Sequence, residues 1–565
     1  MEEKISITPL NLLFAGSFLL LGLFREYSSC IYSFIWGLLL ILSWHKKKNI
    51  IICFNFEHFS IWVLAVGYFI TCFYGIDHGM SFIGLMKFLS VVFFIGILNM
   101  QNSYEKNVLF RIIPAIGTFM TLTGILGWFI SPLRQFFYVS QRLGGFFQYP
   151  NVYALFCLVG ILLLLEDFSE HRKIKFFFVS TLFLGILLSG CRTVFFLTLL
   201  SLGILCLCRK KLRKLILPVT LIFITFGIIF SLLSGNSQNM GRFLTTSLSS
   251  STLIGRIIYW KDGIRESLRH PFGLGYLGYF YRESTIQTAP YNVRFIHNDF
   301  LQLALDTGII PGILFVVMCT RSVFFKEISL EKRLCIVVMC LHFFMDFDLE
   351  FTSIWYLFLL LAEDNRNSQN LSIHSEKICR GFCILFSCLS LYIGFFMIPR
   401  YFGNALLPAQ MLPFYTENNV ALLSAETDSE TAATLSEKIL KQNPYIAEAY
   451  DIRAILALQN KNYDLMIQSK EKSLSLQKYN MEAYDNYLKL LSMALTDTAA
   501  AHDKSASITL LNAIQNVSNI LSDVKTSTTS LAYRTKDAPN FTLSESSDIF
   551  LKQAKNLLDK NKKSE

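Results

Sequence analysis

Four arginines and one histidine supply the residue types that could bind an anion and move a proton beside it. They are Arg142, Arg192, Arg256, Arg265 and His297. A guanidinium presents a planar fork that matches phosphate oxygens, and several together could neutralise a pyrophosphate without a metal ion. Histidine can accept a proton near neutral pH. The set therefore predicts an anion-binding site with a general base.

His297 stands at the head of the apolar run "FIHNDFLQLALDTGIIPG", residues 295–312. Asn298 and Asp299 have side chains that can cap the helix predicted to follow, which would hold the histidine in place. An idle histidine at a membrane interface beside a capping asparagine would give the same pattern. This stretch alone leaves both interpretations open.

The elements that must position these residues are membrane-spanning helices. Only 16% of the 565 residues are charged and 53% are hydrophobic, whereas a soluble domain carries about a quarter charged residues. The apolar runs approach the length needed to cross a bilayer. We predict about 12–13 spans, because two short runs could be halves of one broken span (Leu334–Phe344 and Phe351–Leu361). The others are Leu10–Phe24, Ile31–Trp44, Phe59–Ile76, Phe82–Leu98, Val108–Ile130, Val152–Leu165, Phe176–Leu188, Val194–Cys208, Leu215–Leu233, Phe300–Cys319 and Ile378–Ile398.

Basic residues indicate which face is cytoplasmic. They follow the second, sixth, eighth and tenth spans, at residues 45–48, 171–173, 209–214 and 326–333. The positive-inside rule places this face, and with it the N-terminus, in the cytoplasm of a plasma-membrane protein. The candidate arginines and His297 then collect on the outer face, where a lipid-linked pyrophosphate would fit both charge and location. The formal charge of +10 reflects topology and does not indicate nucleic-acid binding.

The cysteines and the first span give two further expectations. The thirteen cysteines form no CxxC pair or metal-ligand cluster in the sequence, so we predict no disulfide, zinc site or other metal site. The first apolar run lacks a small-residue cleavage site, and we expect it to be retained.

The region after about residue 400 differs in composition and contains an internal repeat. Glu448-Ala449-Tyr450-Asp451 recurs as Glu482-Ala483-Tyr484-Asp485, an offset of 34 residues that is the period of a tetratricopeptide repeat. Two repeats are few for a stable array, so we expect flanking helices at Thr431–Leu440 and Ile508–Leu521. The predicted organisation is a membrane domain over 1–400 with a large outer loop at 234–297, a tetratricopeptide-like helical domain over 401–525, and a polar loop with a C-terminal helix over 526–565.

Several motifs together resemble one known superfamily. Residues 255–280, "GRIIYWKDGIRESLRHPFGLGYLGYF", followed by "HNDFLQLALDTGIIPGILF", are similar to the signature of the O-antigen ligases and Wzy-type polysaccharide polymerases. "RLGGFFQYPNVYALF" resembles an upstream element of that superfamily, and "SGCRT" resembles its Ser-x-Ser-Arg element, with Cys191 in place of the usual serine. The resemblance covers about residues 140–350. It implies an all-α, polytopic, GT-C-like membrane bundle, and a tetratricopeptide tail is a familiar appendage.

The resemblance also implies a reaction: metal-independent, inverting transfer of a glycan from undecaprenyl pyrophosphate, without a cofactor, to a glycan, lipid or protein acceptor. His297 would be the general base, while Arg142, Arg192 and Arg256, with Arg265 and Arg269 as weaker matches, would bind the pyrophosphate. Three loop glycines would let the backbone turn tightly beside a sugar (Gly273, Gly275 and Gly278). No strand precedes them, so a dinucleotide site is excluded.

The run "MDFDLEF" supports competing interpretations. In an extended backbone Asp346, Asp348 and Glu350 would share one side, where they could bind a divalent metal or pass a cation. A solvated outer turn, or an acidic rim in which Asp346 orients the acceptor sugar, fits the same sequence. Two other function classes stay open: a transporter of lipid-linked oligosaccharide, and a membrane-anchored scaffold that binds a protein partner through its tail.

Overall fold

The computed structural model describes residues 8–47, 51–166, 172–209, 251–325, 328–362, 369–372 and 376–564, with isolated positions between 212 and 225. The predicted span Leu215–Leu233 and residues 234–250 of the predicted outer loop lie outside these ranges, apart from those isolated positions. The described chain is almost entirely helical, as the composition predicted. Two short antiparallel pairs are the described β-structure: β1 (Ile51–Phe54) with β4 (Gln369–Ser372), and β2 (Tyr138–Val139) with β3 (Arg142–Leu143).

Helices occupy every predicted span that falls in the described part of the chain. In the membrane domain they are α1 Pro9–Leu19, α2 Glu26–Lys47, α3 Phe56–Tyr74, α4 His78–Leu98, α5 Ser103–Gly127, α6 Ser131–Phe137, α7 Pro150–Glu166, α8 Arg172–Ser189, α9 Arg192–Cys208, α10 Ser251–Arg269, α11 Gly278–Ile286, α12 Asp299–Thr307, α13 Ile309–Phe324, α14 Leu330–Phe343, α15 Thr352–Ala362 and α16 Glu376–Met397. Five of the described helices are long and apolar enough to cross a membrane, and five are shorter apolar helices. These findings support a multi-pass membrane protein.

Polar side chains begin several of these helices. Asn55 caps α3, Asp77 caps α4, and Asn102 forms a capping box with Glu105 at the start of α5. Each cap satisfies a backbone N–H that the helix itself leaves free. Apolar side chains then fill the bundle, in which α2 packs against α4 and α16, and α7 packs against α5, α8 and α14.

The predicted span Phe300–Cys319 is wrong as a single helix. It is divided at Gly308, which has φ +106°, a conformation that L side chains rarely adopt. The turn after α10 packs into this break, since Leu274 N donates to Leu305 O at 2.6 Å and Gly275 N donates to Asp306 O at 3.1 Å. A Cβ on Gly273 would lie 2.7 Å from Asp306 O. This glycine therefore permits backbone to pack on backbone.

The two short runs around "MDFDLEF" form separate helices, α14 and α15, joined by a turn that contains the short 3-10 helix Asp348–Glu350. At the far end of α14, Glu331 pairs with Arg209 at 3.1 Å, and Lys332 pairs with Glu166 at 3.4 Å. The start of α14 thus lies beside the ends of α7 and α9. The turn between α14 and α15 lies at the opposite end, beside the starts of α7 and α12.

The tail is helical throughout most of its described length. Its helices are α17 Leu406–Met411, α18 Thr416–Ala425, α19 Ser429–Gln442, α20 Ala447–Gln459, α21 Tyr463–Ser475, α22 Met481–Ala500, α23 Lys504–Ser527 and α24 Glu545–Ser564. The two copies of the repeated tetrapeptide begin α20 and α22, where Ala449 and Ala483 are buried. Helices also cover both segments where flanking helices were expected. Whether these pairs form a tetratricopeptide array stays a prediction.

The tail packs on the same end of the bundle as His297. Arg294, three residues before His297, pairs with Glu26 at the start of α2 (2.9 Å) and with Glu417 in the tail. Asn443 of the tail donates to Asp77, the cap of α4, at 3.1 Å. The starts of two spans, the segment that leads to His297 and the tail therefore share one face of the protein.

Candidate active site

Helix α10 presents three side chains on one face toward His297. Arg256, Tyr259 and Trp260 are spaced i, i+3 and i+4, so they share a face. Trp260 Nε1 donates to the backbone oxygens of Ile296 and His297, at 3.0 and 3.2 Å. The Tyr259 ring lies 6.0 Å from the His297 ring. Helix α10 thus holds the backbone of the histidine while directing a guanidinium into the same space.

The backbone of His297 is fixed in an unusual conformation. Its φ is +50°, a region that non-glycine residues rarely occupy and that costs free energy unless the surroundings impose it. The next residue, Asn298, caps α12 as predicted, by accepting from Leu301 N at 3.0 Å. Asp299 does not cap the helix. Its buried carboxylate accepts from Leu349 N at 3.2 Å and so attaches α12 to the turn between α14 and α15.

Asp346 is the direct partner of His297. His297 Nδ1 lies 2.9 Å from Asp346 Oδ1. The carboxylate also accepts from Tyr149 (2.8 Å), Asn151 (2.6 Å) and the backbone N of residue 347 (3.0 Å). Burial alone would raise the pKa of Asp346, but the hydrogen bond and charge of His297 and the charge of Arg256 outweigh it and hold that pKa well below its usual range. When His297 is neutral, an ionised Asp346 favours the tautomer with the proton on Nδ1, in which Nε2 is the proton acceptor.

The site is open enough for a ligand to reach the histidine. The His297 side chain is 23% exposed, whereas that of Asp346 is 2% exposed. The ring of Phe347 meets the His297 ring edge-on at 4.8 Å. Phe347 thus covers one edge of the ring, Asp346 holds Nδ1, and part of the imidazole stays exposed. This is the arrangement that a histidine general base requires.

Two of the predicted arginines adjoin this pair. Arg256 lies 3.7 Å from Asp346 Oδ2, and its buried Nε has no hydrogen-bond partner among the described residues. Arg142 donates through its Nη2 to Asn151 Oδ1 at 2.7 Å and through Nε to Ser189 O at 2.7 Å. Asn151 in turn donates to Asp346. Arg142, Asn151, Asp346 and His297 therefore form one hydrogen-bonded chain.

Arg192 begins α9, three residues after the Ser189 carbonyl that receives Arg142 Nε. Cys191 N donates to Ser189 Oγ at 3.1 Å, which fixes the short turn between α8 and α9. Arg192 is half-buried and begins α9 at this turn. Arg142 and Arg192 thus adjoin the α8–α9 turn, and Arg256 reaches Asp346 from α10.

Arg265 and Arg269 do not join this cluster. Arg265 is nine residues beyond Arg256 on α10, which is about half a turn away around the helix axis. Both side chains are exposed and line a different cavity, between α10 and the tail. Both side chains therefore project from a different face of α10 than Arg256, away from His297.

The carboxylates of "MDFDLEF" are neither solvated nor on one side of an extended backbone. All three are buried and have different partners: Asp346 contacts His297, Asp348 lies 2.6 Å from His342 Nδ1, and Glu350 lies 2.6 Å from Lys87 Nζ. Among the described residues no group of three or more His, Cys, Asp or Glu side chains is placed to hold a metal ion. The predictions of a solvated turn and of a shared face were therefore wrong.

Three residues of the site were not identified from the sequence. Tyr149 and Asn151 flank Pro150 in "RLGGFFQYPNVYALF", the segment that resembles an upstream family element, but neither was singled out, and their contacts with Asp346 show their place. Arg294 lies in "NVRFIHN", three residues from His297, and bridges Glu26 and Glu417. An arginine this close to a candidate base was a usable signal, but its partners are 268 and 123 residues away in the sequence.

One stretch of the chain is similar to a known protein family. Residues 177–316 match the sequence model of a family described as O-antigen ligase, and this stretch contains Arg192, Arg256 and His297. It is about a quarter of the chain and ends before Asp346. No curated protein and no solved structure matches the chain. The match supports a membrane protein of O-antigen ligase or polymerase type that acts in cell-surface polysaccharide synthesis.

Proposed function

We propose that the protein is a metal-independent, inverting glycosyltransferase that acts on the outer face of the membrane. Its donor is a glycan linked to undecaprenyl pyrophosphate, and its acceptor is the hydroxyl of a second glycan, a lipid or a protein. The observation that carries the proposal is the His297–Asp346 hydrogen bond, with the Arg256 guanidinium 3.7 Å from the same carboxylate. A base and an anion-binding group adjoin there, within the region that matches the O-antigen ligase family.

The proposed reaction assigns a task to each group. His297 Nε2 removes the proton of the acceptor hydroxyl while its oxygen attacks the anomeric carbon of the donor. The bond from that carbon to the pyrophosphate oxygen breaks, and the electron pair leaves with the lipid pyrophosphate. Arg142, Arg192 and Arg256 stabilise the charge that develops on the leaving group. Attack opposite the leaving group inverts the anomeric centre.

Asp346 acts on this reaction through His297. By accepting from Nδ1 it sets the tautomer in which Nε2 is basic, and its charge stabilises the imidazolium that forms after proton transfer. The hydrogen bonds from Tyr149 and Asn151 fix the orientation of the carboxylate toward His297. Asp346 is thus a positioning residue, and this role replaces the proposal that it orients the acceptor sugar.

Deletion of the gene, followed by analysis of the glycans on the lipid carrier, tests the proposal and separates its two forms. A polymerase predicts loss of the long glycan ladder with accumulation of single repeat units on the carrier. A ligase predicts long glycan that stays on the carrier. Accumulation on the cytoplasmic leaflet would contradict both and indicate a transporter.

A further inference from the structure

A cavity of about 380 Å³ lies between helix α10 and the tail, on the face of α10 opposite Arg256. Arg265, Arg269, Asp262 and Glu266 line it from α10, and Lys478 lines it from the tail. The tail closes the cavity by binding the loop beneath it, since Thr529 N donates to Thr288 O at 2.9 Å. The cavity therefore exists because the tail is docked.

Both carboxylates of the cavity already have partners. Asp262 is buried and accepts from Thr288 N at 2.9 Å and from the Tyr291 hydroxyl at 2.9 Å. Glu266 is buried and pairs with Arg282 and with His270. Both carboxylates are buried, and the partners of Asp262 lie on the loop that packs against α10, so neither group is readily available to a ligand.

The cations of the cavity are far less engaged. Arg265 and Arg269 are one helical turn apart, exposed, and on the same face. Among the described residues Arg265 and Lys478 have no carboxylate within ion-pair distance, and Arg269 reaches Glu266 only at 4.0 Å. Lys478 makes a long contact of 3.4 Å to Thr285 O. The polar groups left for a ligand are therefore predominantly positive.

We propose that this cavity binds an acidic saccharide segment of the acceptor or of the growing chain, through a carboxylate or phosphate on the sugar. The proposal rests on the proposed function. A row of contacts connects the cavity with the site: Asp262 to Tyr291, the Tyr291 ring to Tyr259 at 5.6 Å, and Tyr259 to His297 at 6.0 Å. Arg256 and Arg265 are about 13 Å apart along the axis of α10 and on opposite faces of it, so a saccharide that reached both would have to pass around the helix.

Binding is measured on the full chain carrying His297→Ala, so that no reaction consumes the probe. The probes are a trisaccharide of hexuronic acid, a neutral glucose trisaccharide and inorganic phosphate. We expect the acidic trisaccharide to bind at least tenfold more tightly than the other two, since a charge-assisted hydrogen bond is worth about tenfold or more in affinity. Equal binding of the neutral sugar would overturn the electrostatic basis, and equal binding of phosphate would identify a site for the free anion.

Variants from both walls locate the binding. Arg265→Gln combined with Arg269→Gln, and separately Lys478→Gln, should each weaken the acidic trisaccharide about tenfold or more. Lys489→Gln, an exposed lysine of α22 away from the cavity, is the matched control and should leave affinity unchanged. Unchanged affinity in both cavity variants, with unchanged thermal unfolding midpoints, would overturn the proposal. The binding assay does not depend on glycosyl transfer. Failure of transfer would therefore contradict the proposed function without changing the measured affinity for the acidic trisaccharide.

The pH dependence supplies an independent readout. Burial lowers the pKa of Lys478 to about 8, against a smaller opposing effect of Asp262. Lys478 is therefore charged below that pH and neutral above it, next to Arg265 and Arg269, which stay charged. Affinity for the acidic trisaccharide should fall between pH 7 and pH 9, and Lys478→Arg should remove most of that fall. A flat profile in the unsubstituted cavity would exclude Lys478 from the contact.

Discussion

Replacing Asp346 by asparagine removes the negative charge behind His297 with almost no change in shape. Three donors converge on Oδ1, from His297, Tyr149 and the backbone N of residue 347, so the amide oxygen should take that position. The His297 tautomer is then kept, but the amide NH₂ faces two other donors, Asn151 Nδ2 and the Arg256 guanidinium. The substitution therefore removes the charge of the carboxylate together with its hydrogen bond from Asn151.

The size of the effect follows from the geometry. With Nδ1 and Oδ1 2.9 Å apart, the charge centres of an imidazolium and a carboxylate are about 4 Å apart, which is worth about 4 kcal/mol at an effective dielectric constant of about 20. That value sets an upper limit of about 10³-fold on the rate. Arg256, which lies 3.7 Å from Asp346, would lose its anionic partner. Its positive charge would then repel the imidazolium that develops on His297. We expect kcat to fall by about 10²- to 10³-fold, with donor affinity changed only a few-fold.

The assay is single-turnover transfer from a lipid-pyrophosphate glycan, with donor affinity measured separately. Glu350→Gln is the matched control, because it makes the same carboxylate-to-amide change in the same turn. It breaks the buried Lys87–Glu350 pair, so it should lower the free energy of unfolding by about 3–5 kcal/mol. The fraction that stays folded should keep the native kcat. A kcat for Asp346→Asn within threefold of the native value would refute the assigned role of Asp346.

Three further predictions concern the arginines and the tail. Transfer should persist in excess chelator, while Arg192→Lys should lose most activity because an ammonium cannot make the two-pronged contact of a guanidinium; a strict requirement for magnesium or manganese would contradict this. Arg294→Gln should loosen the tail where it meets the segment before His297, since Glu26 and Glu417 lose the cation that they share. Limited proteolysis after about residue 400 should then accelerate, and an unchanged cleavage rate would show that Arg294 does not hold the tail. Because the tail shares a face with His297, protease added to intact spheroplasts should remove it, whereas protection until lysis would place both on the cytoplasmic face.

Much of the fold could be predicted from local sequence. Apolar runs locate helices because a bilayer admits few other structures, and each predicted span in the described chain coincides with helix. The break at Gly308 was missed, since an apolar run continues across it and the turn that fills the break comes from residues 273–275. The placement of Arg265 on the face opposite Arg256 could have been predicted, because nine residues of an α-helix make about two and a half turns.

The pairing at the centre of the site could not be predicted in the same way. His297 and Asp346 are 49 residues apart, and their contact depends on how α12 and the α14–α15 turn pack together. Asp346 was recognised as a candidate site residue. An extended backbone was assumed for this run, however, and in that conformation its neighbours would be Asp348 and Glu350 instead of His297. Burial of each carboxylate with its own cationic or histidine partner depends on tertiary contacts alone.

The most direct test of the central claim is transfer by the purified full chain, supplied with a short glycan on undecaprenyl pyrophosphate and an acceptor glycan, without added metal. The claim predicts that the acceptor lengthens, that the new linkage has inverted anomeric configuration, and that His297→Ala reduces the rate by about 10²- to 10⁴-fold while the variant still binds the donor. Near-normal transfer by His297→Ala, or product with retained configuration, would contradict it.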